Sequence, residues 1–196
     1  MTGISRGRSS RASWLLALLA ACGGRAPSTP GDGGTSPLRA IPLSRALVVE
    51  TAGPPVSDTS VTFTAGTPRA IVLRHGPPDF IAFAELWFDP RAFGADSGRE
   101  VRVDVHPRPG IYGLDVTSSI PLRPGATVSF KYARFFSGSA RARKRYGHDA
   151  LYERALAVGQ VRPDSTLVLL PSTRPAADVL NAPLPASGSY IVAAPE

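Results

Sequence analysis

The 196-residue chain carries 22 Lys and Arg against 15 Asp and Glu, a net charge of +7, and 43% of its residues are hydrophobic. Its one cysteine excludes a disulfide framework, so a fold exported from the cytoplasm must be held by its core alone. A domain near 150 residues buries about 70% of the surface of its unfolded chain, which is enough without a covalent staple.

Residues 1–21 read as a signal segment. Arg6, Arg8 and Arg11 supply a basic start, 14–21 a short apolar run, and Ala20 and Ala21 the narrow side chains a peptidase needs near its cut. The apolar run falls far short of the roughly 20 residues of a membrane-spanning helix, so the segment is expected to be removed. Leu19-Ala20-Ala21-Cys22 behind that start resembles the lipobox of bacterial lipoproteins. The resemblance implies that the Cys22 sulfur receives a diacylglycerol and that the mature chain starts there, anchored in the lipid bilayer of the cell envelope. With Gly23 and not Asp after the anchor, it implies the outer membrane if the host is Gram-negative.

Residues 22–37 comprise the expected lipidated cysteine and a stretch of Gly, Pro, Ser and Thr that cannot bury enough apolar surface to offset its ordering entropy. It reads as a tether, with a root-mean-square span of roughly 20 Å and a stretched length of about 50 Å. The remaining residues, 38–196, are expected to form a single domain.

Period-two alternation runs through that domain. Val61 and Phe63 alternate with Thr62 and Thr64; Val101, Val103 and Val105 alternate with Arg102 and Asp104; Ala126, Val128, Phe130 and Tyr132 alternate with Thr127, Ser129 and Lys131. These predict half-buried antiparallel strands. The runs 70–73, 80–88, 167–170 and 190–193 predict strands buried more completely. Turn signals such as Gly76-Pro77-Pro78, Pro109-Gly110 and Pro163-Asp164-Ser165 separate them. Eight or more short strands at this spacing predict an all-β fold, an antiparallel β-sandwich of immunoglobulin-like or related type. At most one short helix is expected, around His148–Ala157, with Asp149 as a cap, and its last part reads equally as a strand running to Val161.

The order of 83–93, the alternating strand from Arg99 to Val105, Tyr112-Gly113 and the stretch 121–132 is similar to bacterial relatives of the β-sandwich domain of tight-junction, ankyrin and netrin-receptor proteins. A hairpin at 165–170 and a last strand at 189–194 complete the likeness. The resemblance implies a binding or structural module that turns over no substrate. Some members cleave themselves at His-Phe-Ser; here Phe135-Phe136-Ser137 places Phe135 where the activating imidazole belongs.

The sequence holds no His-x-x-x-His, no Cys–His cluster, no Gly-x-Ser-x-Gly elbow and no phosphate- or dinucleotide-binding glycine loop. No metal or other cofactor is expected. His75, His106 and His148 fall in unrelated stretches and read as surface or loop residues. A small envelope hydrolase is the alternative function, with Glu85, Asp89 and His106 converging in space, and Asp104 as a further carboxylate. Glu85 is the odd one, because it interrupts a run that otherwise asks to be buried.

The densest charge lies at Arg141, Arg143, Lys144 and Arg145, flanked by Arg134, Tyr146 and Arg154. Gly138, Ser139 and Ala140 before it predict an exposed loop whose cations attract polyanions. For an exported lipoprotein the partners expected are anionic lipid, lipopolysaccharide, a glycan or an envelope protein, and not nucleic acid. The aromatic neighbours Phe135, Phe136, Tyr146 and Tyr152 are expected to pack into the core.

Overall fold

The computed structural model describes residues 38–196; the expected signal, Cys22 and the tether lie outside them. In chain order the strands are β1 (Arg39–Pro42), β2 (Ala46–Val48), β3 (Glu50–Thr51), β4 (Thr59–Thr64), β5 (Arg69–Arg74), β6 (Ala82–Phe88), β7 (Glu100–Pro107), β8 (Gly113–Ser118) and β9 (Ala126–Lys131). After β10 (Phe136–Ser137) come helices α1 (Ala140–Tyr146) and α2 (Asp149–Ala155), then β11 (Ala157–Val161), β12 (Thr166–Leu169), β13 (Thr173–Ala176), β14 (Val179–Pro183) and β15 (Gly188–Pro195).

Two antiparallel sheets form a β-sandwich. One runs β1-β12-β11-β15-β8-β7-β4 with β2 also paired to β15; the other runs β13-β14-β9-β6-β5; β3 and β10 make a small separate ladder. The alternating strands point their apolar members inward as period two requires: Val101, Val103, Val105, Val128 and Phe130 are fully buried. Aromatic rings bridge the layers. Phe83 stacks on Tyr112 at 5.2 Å between ring centroids and meets Phe130 edge-on at 6.0 Å.

The runs read as buried throughout divide. Tyr190, Ile191, Val192, Ala193 and Ala194 are all buried, because β15 is central and both its faces are covered. Tyr190, Val192 and Ala194 join the main core, while Ile191 and Ala193 join a second cluster with Leu167 and Leu169, packed under Ile41 and Leu43. In 70–73 and 80–88 the expectation fails: Val72 and Trp87 are 41% and 44% exposed, and Phe80 is also exposed. Here β5 is a sheet edge and the outward face is uncovered, so Ile71, Leu73, Phe83, Ala84, Leu86 and Phe88 are buried while Val72 and Trp87 are not.

Two short helices stand where at most one was expected. The basic stretch is not a loop. Ser139 Oγ accepts the Ala142 N–H at 3.2 Å as an N-cap, Ala142 and Tyr146 turn inward one helical turn apart, and Gly147 ends the helix at φ +80°. The predicted second helix forms as α2, but its N-cap is His148 and the cap is made without a side-chain bond.

Candidate functional site

The carboxylates and histidine singled out in the sequence do not converge. Glu85 lies in β6 between Val72 and Ser129, on the outward face of the five-stranded sheet. Asp89, four residues and about 13 Å further along the strand direction, builds the turn that follows. Its Oδ1 accepts the Arg91 backbone N–H at 2.6 Å and its Oδ2 the Arg91 guanidinium at 2.8 Å. That hydrogen bond holds its carboxyl below the usual range. His106 lies on β7, in the other sheet, facing away from the buried Val103 and Val105. Its Nδ1 stands 2.9 Å from Asp58, whose carboxylate raises the imidazole pKa. Asp104 on the same face accepts from Arg102 at 2.9 Å, and its pKa is lowered chiefly by a hydrogen bond from Ser60, then by that from Arg102. Outward strand positions on two different sheets cannot share a substrate, so a Glu85–Asp89–His106 acid–base set is not assembled.

The basic stretch is split by the helical period. Residues 141, 144 and 145 share one side of α1, whereas 143 points elsewhere. Arg141 sets Nη2 2.7 Å from Glu196 Oε2 and donates from Nε to Oε1 at 3.2 Å. Lys144 and Arg145 line the same shallow depression beside Glu196, and the Arg145 guanidinium stands 5.5 Å over the Tyr146 ring. Arg143 instead approaches Asp149 at 3.7 Å. Two cations far from that stretch in the chain, Arg39 and Arg45, line an adjoining depression that also touches Glu196. The Glu196 carboxyl is lowered mainly by the Arg141 hydrogen bond, with the charges of Arg141, Arg45 and Arg145 adding to it. Five cations thus gather about one carboxylate at the place where the described chain begins.

The aromatic flank of this stretch packs inward as expected. Tyr152 is buried and donates to the Leu47 carbonyl at 3.0 Å, and Tyr146 donates to Pro195 O at 2.6 Å. Tyr132 donates to Glu153 at 2.9 Å and accepts from Arg174 at 2.8 Å, tying β9, α2 and β13 together. Burial pushes its phenol up to about 12.

His75 overturns the surface reading. At 2% exposure it is buried at the end of β5, with its ring 4.7 Å from Phe135 and 5.3 Å from Phe83. Nothing in a lone His before Gly-Pro-Pro signals burial; it follows from how 51–56 fold back over β5. His75 stands in the wall of a cavity of about 310 Å³ at one end of the sandwich, with 51–56, Phe83 and the β7–β8 turn as its other walls.

Among the described residues no group of three His, Cys, Asp or Glu side chains is placed to hold a metal ion, and no helix is long and apolar enough to cross a membrane. No protein-family model, curated protein or solved structure matches the chain.

Proposed function

We propose that the protein is a lipid-anchored envelope lipoprotein whose β-sandwich is a non-catalytic binding or structural module, held with its basic face toward an anionic membrane surface. The carrying observation is the cluster of Arg39, Arg45, Arg141, Lys144 and Arg145 about Glu196. Arg39 directly follows the first described residue, Leu38, so the described domain begins on this same face. An acyl anchor and a set of cations then act on one surface. The two acyl chains of a diacylglycerol suffice for attachment, and the cations add a signal that sets which face lies toward the surface. Cations near an anionic leaflet contribute about 1 kcal/mol each and are screened by salt.

The reading is tested with the full chain carrying Cys22→Ala, which cannot be acylated, sedimented with phosphatidylglycerol-containing vesicles. Binding is expected to fall with added salt and to weaken by roughly two orders of magnitude in Arg141→Ser/Lys144→Ser/Arg145→Ser. Equal binding to uncharged phosphatidylcholine vesicles, or no loss in the triple variant, overturns the basic-face proposal. Labelled palmitate should enter the wild-type chain in cells and not the Cys22→Ala chain; label that persists without the thiol overturns the anchor.

A further inference from the structure

We propose that the uncovered outer face of the five-stranded sheet binds a neutral β-1,4-linked pyranose chain, stacked on Trp87 and hydrogen-bonded by the row Glu85, Ser129 and Asn181. The proposal names a ligand for the non-catalytic binding module and rests on that part of the functional reading; it is independent of the anchor and of the basic face, which shares no residue with it.

Strand pairing lays this face out in two rows. Leu86, Val128 and Ala182 stand level across β6, β9 and β14 and are buried, as are Ala84, Phe130 and Leu180. Period two turns the residues between them outward. One outward row holds Trp87, with Ala70 opposite it on β5 and Thr127 on β9. The other holds Glu85, Ser129 and Asn181, again level, with Val72 beyond Glu85 on β5. Neighbouring strands lie about 4.8 Å apart, and rows on one face follow each other at about 7 Å along them.

Trp87 is an open aromatic surface. It is 44% exposed, and the small side chains of Ala70 and Thr127 on either side cannot cover an indole. Among the described residues no ring pairs with it and no guanidinium lies over it, whereas the next residue, Phe88, stacks on Phe93 inside. An indole offers a ligand a rigid apolar plane at little conformational cost. The row beside it supplies a carboxylate, a hydroxyl and an amide, which between them donate and accept. Among the described residues no ion pair engages Glu85.

These properties together select the occupant. A pyranose has an apolar C–H plane that lies on an aromatic ring and hydroxyls around its rim that reach polar neighbours. Strands about 4.8 Å apart match the repeat of an extended β-1,4-linked chain, so a chain crossing them sets successive sugars over β6, β9 and β14. Charge points the same way. The face sets Glu85 against Lys131, and Arg74 at its border is turned to the Phe80 carbonyl at 3.2 Å, which leaves no field of one sign for an anionic surface. Its exposed large apolar side chains are Val72 and Trp87, fewer than the dry centre of a protein interface requires.

The test uses the full chain with cellohexaose as probe and maltohexaose, the same sugar in α-1,4 linkage and coiled, as control. Saturable NMR shifts are expected at the Trp87 indole N–H and at the amides of β6 and β9, with maltohexaose bound about tenfold more weakly. Trp87→Ala, at an exposed position, should weaken cellohexaose binding about tenfold, and Trp87→Phe should weaken it less. Glu85→Ala and Asn181→Ala should each weaken it about fivefold. No saturable shift at millimolar cellohexaose, equal binding of the two sugars, or unchanged binding in Trp87→Ala would overturn the proposal. Shifts at Trp87 that grow with protein concentration alone would overturn it in favour of a second copy on this face, and shifts there with phosphatidylglycerol vesicles in favour of a membrane. Sugar binding retained in Arg141→Ser/Lys144→Ser/Arg145→Ser while vesicle binding is unaffected by that variant would remove the basic-face reading and leave this one standing.

Discussion

On the outer face of the eight-stranded sheet Ile191 and Ala193 pack with Ile41 and Leu43, whereas on the outer face of the five-stranded sheet Val72 and Trp87 stand 41% and 44% exposed. The two faces come from runs of similar apolar content. What separates them is the segment from β1 to β2, which hydrogen-bonds along β12 and β15 and brings its own apolar side chains to the first face. The second face has no such cover within the described chain. A strand buries both sides only where another part of the chain lies over it, and hydrophobicity along the strand does not say whether it will.

The comparison is broken most directly by shortening one side chain on each face. Ile191→Ala should lower unfolding free energy by about 2–5 kcal/mol, as large-to-small changes in packed sites do. Val72→Ala should stay within about 0.5 kcal/mol. Urea midpoints at unchanged m-value measure both, and equal losses would mean that the two faces are covered alike.

A smaller effect sharpens what holds the cover in place. Tyr152 donates its hydroxyl to the Leu47 carbonyl in β2, so Tyr152→Phe should cost about 1 kcal/mol and speed amide hydrogen exchange in 46–48 before it does so in β5 or β6. Unchanged exchange in β2 would show that pairing to β15 alone secures the segment.

The smallest effect lies on the uncovered part of the first sheet, at His106. The hydrogen bond that the imidazole donates to Asp58 raises its pKa above the ordinary 6.5, and the charges of Asp58, Asp104 and Asp115 add to this. A raised folded-state value means that the pair stabilises fully below the unfolded pKa and loses its contribution as pH rises through the folded one. The wild-type urea midpoint should therefore decline relative to His106→Gln as pH rises across the neutral range. Parallel profiles for the two chains would remove the pair as a source of pH dependence.

Much of the sandwich is legible in the residues. Alternation in 61–64, 101–105 and 126–132 gives both the strands and their buried faces, because a strand's side-chain period is two wherever it lies. The α1 helix was missed, because its run of cations after Gly138 reads as a solvated loop, whereas Ser139 caps and Gly147 ends a helix that Ala142 and Tyr146 seat against the core. The sites are less legible. Arg141, Lys144 and Arg145 are adjacent in sequence, yet their neighbours Arg39 and Arg45 lie about 100 residues away and reach Glu196 only through strand pairing. Glu85 stood out because it broke an apolar run, and that run proved to have an open face.

By itself the sequence determined the all-β sandwich, its alternating strands, and the basic stretch that marks one surface, since these depend on local periodicity and composition. Tertiary structure alone decided which apolar runs are covered on both sides, which cations share a surface, and that His75 is buried with a ring nitrogen unpaired among the described residues. Each of those depends on which distant segment lies against the residue. Side-chain pattern records the shape a strand prefers, and only the folded chain supplies its neighbours.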